Sequence, residues 1–130
     1  GLPIIFPVHP RTNKRLKTLG IEYSNLHKVE PLGYLEFNYL VERSKAVITD
    51  SGGITEETTI LNIPCMTLRE NTERPETVNI GTNSLLGVNP KKIGPAMKKL
   101  FLGQWKNGKA PPLWDGKTAS RIISHIVELK

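Results

Sequence analysis

Short apolar runs alternate with amphipathic or polar stretches along most of the 130-residue chain. Ile4 to Val8 is an apolar run of strand length, and a polar stretch follows from Pro10. This predicts a buried strand, then a helix that starts near Pro10 and stops before Gly20. His27 to Val29 is a weaker strand candidate. Gly33 to Ser44 predicts a helix with apolar positions at Leu35, Phe37, Tyr39, Leu40 and Val41. Ala46 to Thr49 predicts the next strand, and Ile54 to Leu61 a helix with Asn62 as a left-handed cap before Ile63-Pro64. Cys65 to Leu68 reads as a strand, Arg69 to Gly81 as a polar loop, Ser84 to Val88 as a last strand and Pro90 to Phe101 as a helix. Gly103 to Asp115 is rich in Gly and Pro and reads as a linker. A final helix over Lys117 to Leu129 has Ala119, Ile122, Ile123, Ile126 and Val127 on one face.

Strands that alternate with helices in this way predict an α/β fold, with a parallel sheet covered by helices on both sides. There is no internal repeat and no low-complexity segment. The composition shift at Gly103 marks a joint rather than a second domain, so residues 1–130 are expected to form one domain. A helix beyond such a joint often crosses to pack on another body. The chain runs straight from its first residues into a core strand, so earlier elements are expected to be missing.

Composition narrows the class. The chain is long enough for one domain with a real core. Hydrophobic residues at 38% and charged residues at 23% are ordinary for a soluble globular protein. No apolar run approaches the ~20 residues of a membrane helix, and the amino terminus has no signal-peptide pattern. Cys65 is the single cysteine, which excludes an internal disulfide framework and a multi-cysteine metal site. A cytoplasmic location is the simplest expectation, and no cofactor or metal is expected. Lysine plus arginine (18) exceeds aspartate plus glutamate (12), which gives a net charge of +6 and suits an anionic partner. The densest basic spot, Arg11, Lys14, Arg15 and Lys17, has helical spacing and reads as a solvated face. No aromatic stacking series accompanies it, so nucleic acid is not the expected partner.

The sharpest chemical feature is Val47-Ile48-Thr49-Asp50-Ser51-Gly52-Gly53-Ile54-Thr55-Glu56-Glu57. A strand ends, two glycines follow, and a helix begins. Glycine allows a tight turn and close approach of a ligand to the backbone. A helix start presents free N–H groups and the positive end of the dipole. The combination suits phosphate, with Ser51 adding a hydroxyl, and it lies where open α/β sheets bind ligands. Serine or aspartate before a helix is also a common cap, so both readings stand. The string is neither a P-loop nor G-x-G-x-x-G, which sets aside the usual ATP and NAD signatures. Glu57 lies one turn into the helix. It reads either as an acceptor for neutral hydroxyls such as those of a ribose or as an exposed first-turn glutamate. Arg69 and Arg74, in Arg69-Glu70-Asn71-Thr72-Glu73-Arg74-Pro75-Glu76, either reach phosphate and sugar oxygens or pair with their acidic neighbours. His9 at the edge of the first strand is a ligand contact, an acid/base group, or a histidine bonded to backbone.

Taken together, these segments resemble the non-hydrolysing UDP-N-acetylglucosamine 2-epimerase family. The strings that carry the resemblance are Pro7-Val8-His9-Pro10, Glu30-Pro31-Leu32-Gly33-Tyr34-Leu35-Glu36-Phe37, Thr49 to Glu57, Leu68 to Glu76, Gly81-Thr82-Asn83 and Asp115-Gly116-Lys117. The resemblance implies a Rossmann-like parallel sheet flanked by helices, one half of a GT-B type two-domain architecture. Residues 1–130 would be most of the carboxy-terminal, UDP-binding domain, and the helix over 117–130 would pack against the missing amino-terminal domain. Ser51, Gly52, Gly53 and Arg74 would hold the phosphates, and Glu57 the ribose hydroxyls. Phe37 and the backbone near Leu32 would border the uracil, although some members carry glutamine where Leu32 stands. His9 would lie near a second, regulatory UDP-sugar site found in some members. The family eliminates UDP from UDP-N-acetylglucosamine and adds it back to give UDP-N-acetylmannosamine, commonly as a homodimer. Its acidic catalytic residues and its catalytic histidine belong to segments absent from this chain, so the chain alone is expected to bind UDP weakly and turn nothing over. Two other readings share the same half-domain: a GT-B glycosyltransferase, and a non-catalytic UDP-binding domain that pairs with a separate chain.

Overall fold

The computed structural model describes residues 1–129, which fall into two compact units, Gly1–Tyr39 and the residues from Leu40 onward. In the first unit β1 (Ile4–Pro7) pairs in parallel with β2 (Leu26–Val29), Ile4 opposite Leu26 and Pro7 opposite Val29. Between them α1 (Pro10–Thr18) starts at a proline, whose missing N–H is no loss at a helix start. It stops at Gly20, where φ is +63°. Gly20 donates to the Lys17 carbonyl and Ile21 to that of Leu16, which together close the helix end. The helix buries none of its residues, and Arg11, Lys14, Arg15 and Lys17 are all exposed, as a solvated face requires.

The helix α2 (Tyr34–Arg43) spans the boundary between the units. Its start is set by Glu36, which reaches back to accept from the Gly33 N–H at 3.0 Å.

The second unit holds a parallel sheet in the order β3 (Val47–Thr49), β4 (Cys65–Thr67), β5 (Asn83–Leu85). The strands are parallel as expected, and backbone hydrogen bonds divide them into two sheets, β1-β2 and β3-β4-β5. β4 is buried along its whole length. Met66 on β4 packs with Leu86, Ala96 and Leu100 in the core, with Leu68, Ile93, Met97 and Trp105 around them. Trp105 satisfies its indole N–H on the Thr82 carbonyl at 2.8 Å.

Helix α3 (Gly52–Ile60) faces β4 and β5 with an unusual surface: Thr55, Thr58 and Thr59 are all fully buried. Their hydroxyls donate back to the carbonyls of Gly52, Ile54 and Thr55 at 2.6, 3.0 and 2.8 Å, so the buried polar atoms are paired within the helix. Asn62, at φ +55°, closes α3 as the expected left-handed cap, with Ile63 donating to Thr58 at 2.8 Å.

Several boundaries differ from the sequence reading, among them the last strand, expected over Ser84 to Val88 and found at Asn83–Leu85. The expected loop over residues 69–81 contains α4 (Pro75–Asn79), a five-residue helix too short to show a hydrophobic period. The helix expected from Pro90 opens as a 3-10 turn (Pro90–Lys92) capped by Asn89, and α5 proper is Ile93–Phe101. The glycines of the Ser51-Gly52-Gly53 string belong to α3 itself. The last helix, α6 (Thr118–Glu128), buries none of its residues, and Ile122, Ile123, Ile126 and Val127 are exposed. Arg121 of α6 donates to Asp115 Oδ1 at 2.9 Å, and the Lys117 N–H donates to the same oxygen at 3.0 Å.

Two outcomes are expected. Replacing Met66, fully buried in the core, by alanine should remove about 2–5 kcal/mol from the urea-unfolding free energy. Arg121 and the Lys117 amide lower the Asp115 pKa from its ordinary 3.8 to about 2. The anchor they form at the start of α6 should therefore be complete above pH 3.8 and lost as pH falls through about 2. Carbon-detected titration of the Asp115 carboxyl should show that low midpoint, and Arg121→Ala should move it back towards 3.8.

Candidate functional site

The end of β3 and the start of α3 are locked together by short-range bonds. Thr49 Oγ1 accepts from the Ser51 N–H at 3.0 Å, which fixes the turn after the strand. Ser51 occupies the N-cap position with extended dihedrals (φ −82°, ψ 132°), but its hydroxyl makes no capping bond. Of the two readings of this serine, the structure removes the simple cap. The first turn of α3 contains no acidic residue, so nothing in it offsets the positive end of the helix.

Gly52 and Gly53 are not needed for the turn. Neither has a positive φ, and both are helical. A Cβ on Gly53 would meet nothing within 4 Å, and one on Gly52 would touch only the Arg69 guanidinium, at 3.8 Å. Glycine at a helix position is less favourable than alanine by up to about 1 kcal/mol, and here the protein's own packing gives no reason for it. With glycine at both positions, no side chain stands at the first two residues of α3.

The guanidinium beside Gly52 belongs to Arg69, which follows β4. The Leu68 N–H donates to the Thr49 carbonyl at 2.8 Å, holding the carboxyl ends of β3 and β4 level and bringing Arg69 to the start of α3. Among the described residues its ion-pair contact is a loose one, 3.8 Å to Glu73. Arg74, the arginine favoured from sequence for the phosphates, is exposed and held by Glu56 of α3 through its Nε–H. That hydrogen bond and the charge of Glu56 raise the Arg74 pKa further above its ordinary value, so the guanidinium stays charged. Arg69 and Arg74 therefore both stand near the amino-terminal half of α3, one beside Gly52 and one on Glu56. The signal for Arg69 was its place directly after the strand end. The Glu56 partnership has no signal in the spacing.

Glu57, half-buried in the second turn of α3, has no side-chain partner among the described residues. Ser51, Gly52 and Gly53 thus stand at the start of α3, Arg74 meets Glu56 on the same helix, and Glu57 lies one turn beyond Gly53. Leu32, Phe37 and His9 belong to the first unit. Leu32 and Phe37 are half-buried, and the Phe37 N–H donates to the Gly33 carbonyl at 2.9 Å as α2 begins. His9 is the N-cap of α1, its exposed ring accepting from the Arg11 N–H through Nδ1 at 3.4 Å. Among the described residues no group of three or more His, Cys, Asp or Glu side chains is placed to hold a metal. Burial pushes the Cys65 thiol pKa up, which leaves it an unreactive core residue.

The family model described as UDP-N-acetylglucosamine 2-epimerase matches residues 1–127. The UDP-N-acetylglucosamine 2-epimerase of Methanococcus maripaludis is 45% identical over 128 residues, covering 93% of this chain and 34% of its own length. The Methanocaldococcus jannaschii UDP-GlcNAc 2-epimerase, solved in complex with UDP-GlcNAc and UDP, superposes with a TM-score of 0.76 at 42% identity, over 97% of this chain and 36% of that one. The S. aureus MnaA-UDP co-structure superposes at 0.80 with 30% identity, over 98% of this chain and 36% of that one. These neighbours, with the parallel sheets flanked by helices, bear out the expected fold class of one half of a GT-B type architecture. The chain spans about a third of the length of the relatives it matches, and it belongs to the UDP-N-acetylglucosamine 2-epimerase family.

Proposed function

We propose that this chain supplies the diphosphate-holding part of a UDP-N-acetylglucosamine 2-epimerase, an isomerase that interconverts UDP-N-acetylglucosamine and UDP-N-acetylmannosamine. The observation that carries the reading is the bare amino end of α3: two glycines without a packing role, an uncapped first turn, and the Arg69 guanidinium alongside. A helix start of this kind favours an anion through its free N–H groups and its dipole. The related M. jannaschii structure, which holds UDP-GlcNAc and UDP, supports a nucleotide sugar as the anion.

In this reading Ser51, Gly52 and Gly53 bind the phosphates, with Arg69 and Arg74 adding charge. Glu57 accepts hydrogen bonds from the ribose hydroxyls, a role that suits a half-buried carboxylate with no side-chain partner among the described residues. Phe37 and the backbone near Leu32 border the uracil, and His9 lies by a second UDP-sugar site. The reaction breaks the bond from C1 to the diphosphate as C2 loses its proton, then re-adds UDP after protonation at the opposite face. The chain's part is to stabilise the charge that builds on the departing diphosphate, where preorganised donors act most strongly. The acid/base groups at the sugar come from the amino-terminal domain, which these residues do not include. The exposed apolar face of α6 (Ile122, Ile123, Ile126 and Val127) packs against that domain, and the full-length protein works as a cytoplasmic homodimer.

Gly53→Ala separates binding from stability. The added methyl has open space around it and a better helix propensity, so the variant should melt higher, by roughly 0.5–1 kcal/mol in stability. The same methyl stands before the first amides, so UDP affinity should fall about tenfold in a calorimetric or NMR titration. Unchanged UDP binding in that variant would sink the site assignment. Supplied with UDP-N-acetylglucosamine, the 130-residue chain alone should form no UDP-N-acetylmannosamine in a coupled assay, and turnover there would refute the division of roles.

A further inference from the structure

The Gly81-Thr82-Asn83 string takes no part in the site described above, yet Asn83 and Thr77 are both completely buried. Buried amides and hydroxyls are tolerated where their hydrogen bonds are met. Here the partners form a line. Thr67 of β4 donates to Asn83 Oδ1 at 2.6 Å, Asn83 Nδ2 donates to Thr77 Oγ1 at 3.2 Å, and Thr77 Oγ1 donates to the Arg74 carbonyl at 2.8 Å. The polarity of the line is set by its end. A hydroxyl has one proton, and Thr77 spends it on Arg74, so Thr77 must accept from the amide. Asn83 must then offer Oδ1 to Thr67 and Nδ2 to Thr77. Leucine at this position would serve neither partner. Ionised aspartate would serve Thr67 but would draw the Thr77 proton away from Arg74.

The line ends on the residue whose guanidinium meets Glu56 on α3. The Arg74 carbonyl also accepts from the Thr77 N–H at 3.0 Å, and the Arg74 N–H donates to Thr72 Oγ1 at 3.1 Å. The backbone on either side of an exposed arginine is thus tied to the sheet and to its own loop. We infer that Asn83 is a positioning residue for Arg74: acting through Thr77, it fixes the Arg74 backbone and so aims the guanidinium at the amino-terminal half of α3. The functional meaning of that aim rests on the proposed diphosphate site; the positioning does not.

The test uses the 130-residue chain and variants at Thr77 and Asn83, with Thr77→Val also made in an Arg74→Ala background. Thr77→Val removes the hydroxyl at nearly constant volume, and Thr77→Ser keeps it. Asn83→Asp keeps the acceptor for Thr67 and loses the donor to Thr77, and Thr77→Ala replaces Thr77→Val should the latter fail to fold. The Arg74 Nε–H resonance reports the Glu56 contact without ligand. It should move towards the position of a free arginine in Thr77→Val and Asn83→Asp, and stay in place in Thr77→Ser. UDP affinity should fall about tenfold in Thr77→Val, and this loss should vanish when Arg74 is also alanine. An unmoved Nε–H signal in a destabilised Thr77→Val, or an equal UDP loss with and without Arg74, overturns the proposal in favour of a purely structural role. If UDP moves no amide signal of the unmutated chain, the nucleotide reading falls, and the Nε–H comparison still decides the positioning role.

Discussion

The first turn of α3 carries backbone N–H groups that no carbonyl within the helix can accept. Most helix starts cover such groups with a serine, threonine or aspartate side chain, and Ser51 stands in the right place to do so. It does not, and the two residues after it have no side chains at all. The residues around this turn follow from the same constraint. No carboxylate lies in the first turn, the Leu68–Thr49 bond brings Arg69 level with Gly52, and Arg74 reaches the next turn through Glu56. Each feature is mild by itself. Together they place the free N–H groups of the helix and two guanidiniums at the carboxyl edge of parallel strands.

Holding that turn still falls to an unusual helix face. A helix packed on a sheet normally presents branched aliphatic side chains, whereas α3 presents Thr55, Thr58 and Thr59. Threonine has the shape of valine, and its hydroxyl can be satisfied one turn back, so a threonine face packs closely without stranding a polar atom. The closeness is visible at Gly81, where an added Cβ would lie 2.5 Å from Thr59 Oγ1 and 2.7 Å from the Thr77 carbonyl. The same fit brings Thr82 Oγ1 to the Thr58 carbonyl at 3.4 Å. Close packing of α3 on β4 and β5, rather than a large aliphatic core, is what makes its amino end a fixed object.

The parts of this fold that were legible in the sequence are those governed by local chemistry. Gly20, Asn62 and Gly103 mark helix ends because each adopts a positive φ, at +63°, +55° and +68°, and local residue type controls that conformation. The strand and helix on either side of Ser51-Gly52-Gly53 were legible too, but not that both glycines are helical and carry no positive φ. The threonine face was not, since a helix whose buried positions are threonines shows little apolar period. α4 was hidden by its five-residue length and by Pro75, which looks like a loop residue until it is seen at a helix start. The choice between Arg69 and Arg74 was not legible either. Both follow β4 in one polar string, and only the tertiary arrangement puts one beside Gly52 and the other on Glu56.

The charged groups around α3 also indicate which part of the chemistry they can perform. Proton transfer near neutral pH needs a group that can exchange its proton there, with its pKa brought towards 7. Arg74 is moved the other way: its hydrogen bond to Glu56 and the surrounding carboxylates strengthen its hold on the proton. A guanidinium in that state is a fixed positive charge, as is the dipole end of a helix. Fixed charges lower a barrier by favouring the state in which negative charge has gathered near them, and they do so without giving up or taking a proton. For an elimination that leaves a diphosphate behind, such charges suit the leaving group, while the proton steps at the sugar call for groups of a different kind. In the proposed function this chain's share of the work is to hold charge, with the bare amides of α3 and the Arg69 and Arg74 guanidiniums as its means.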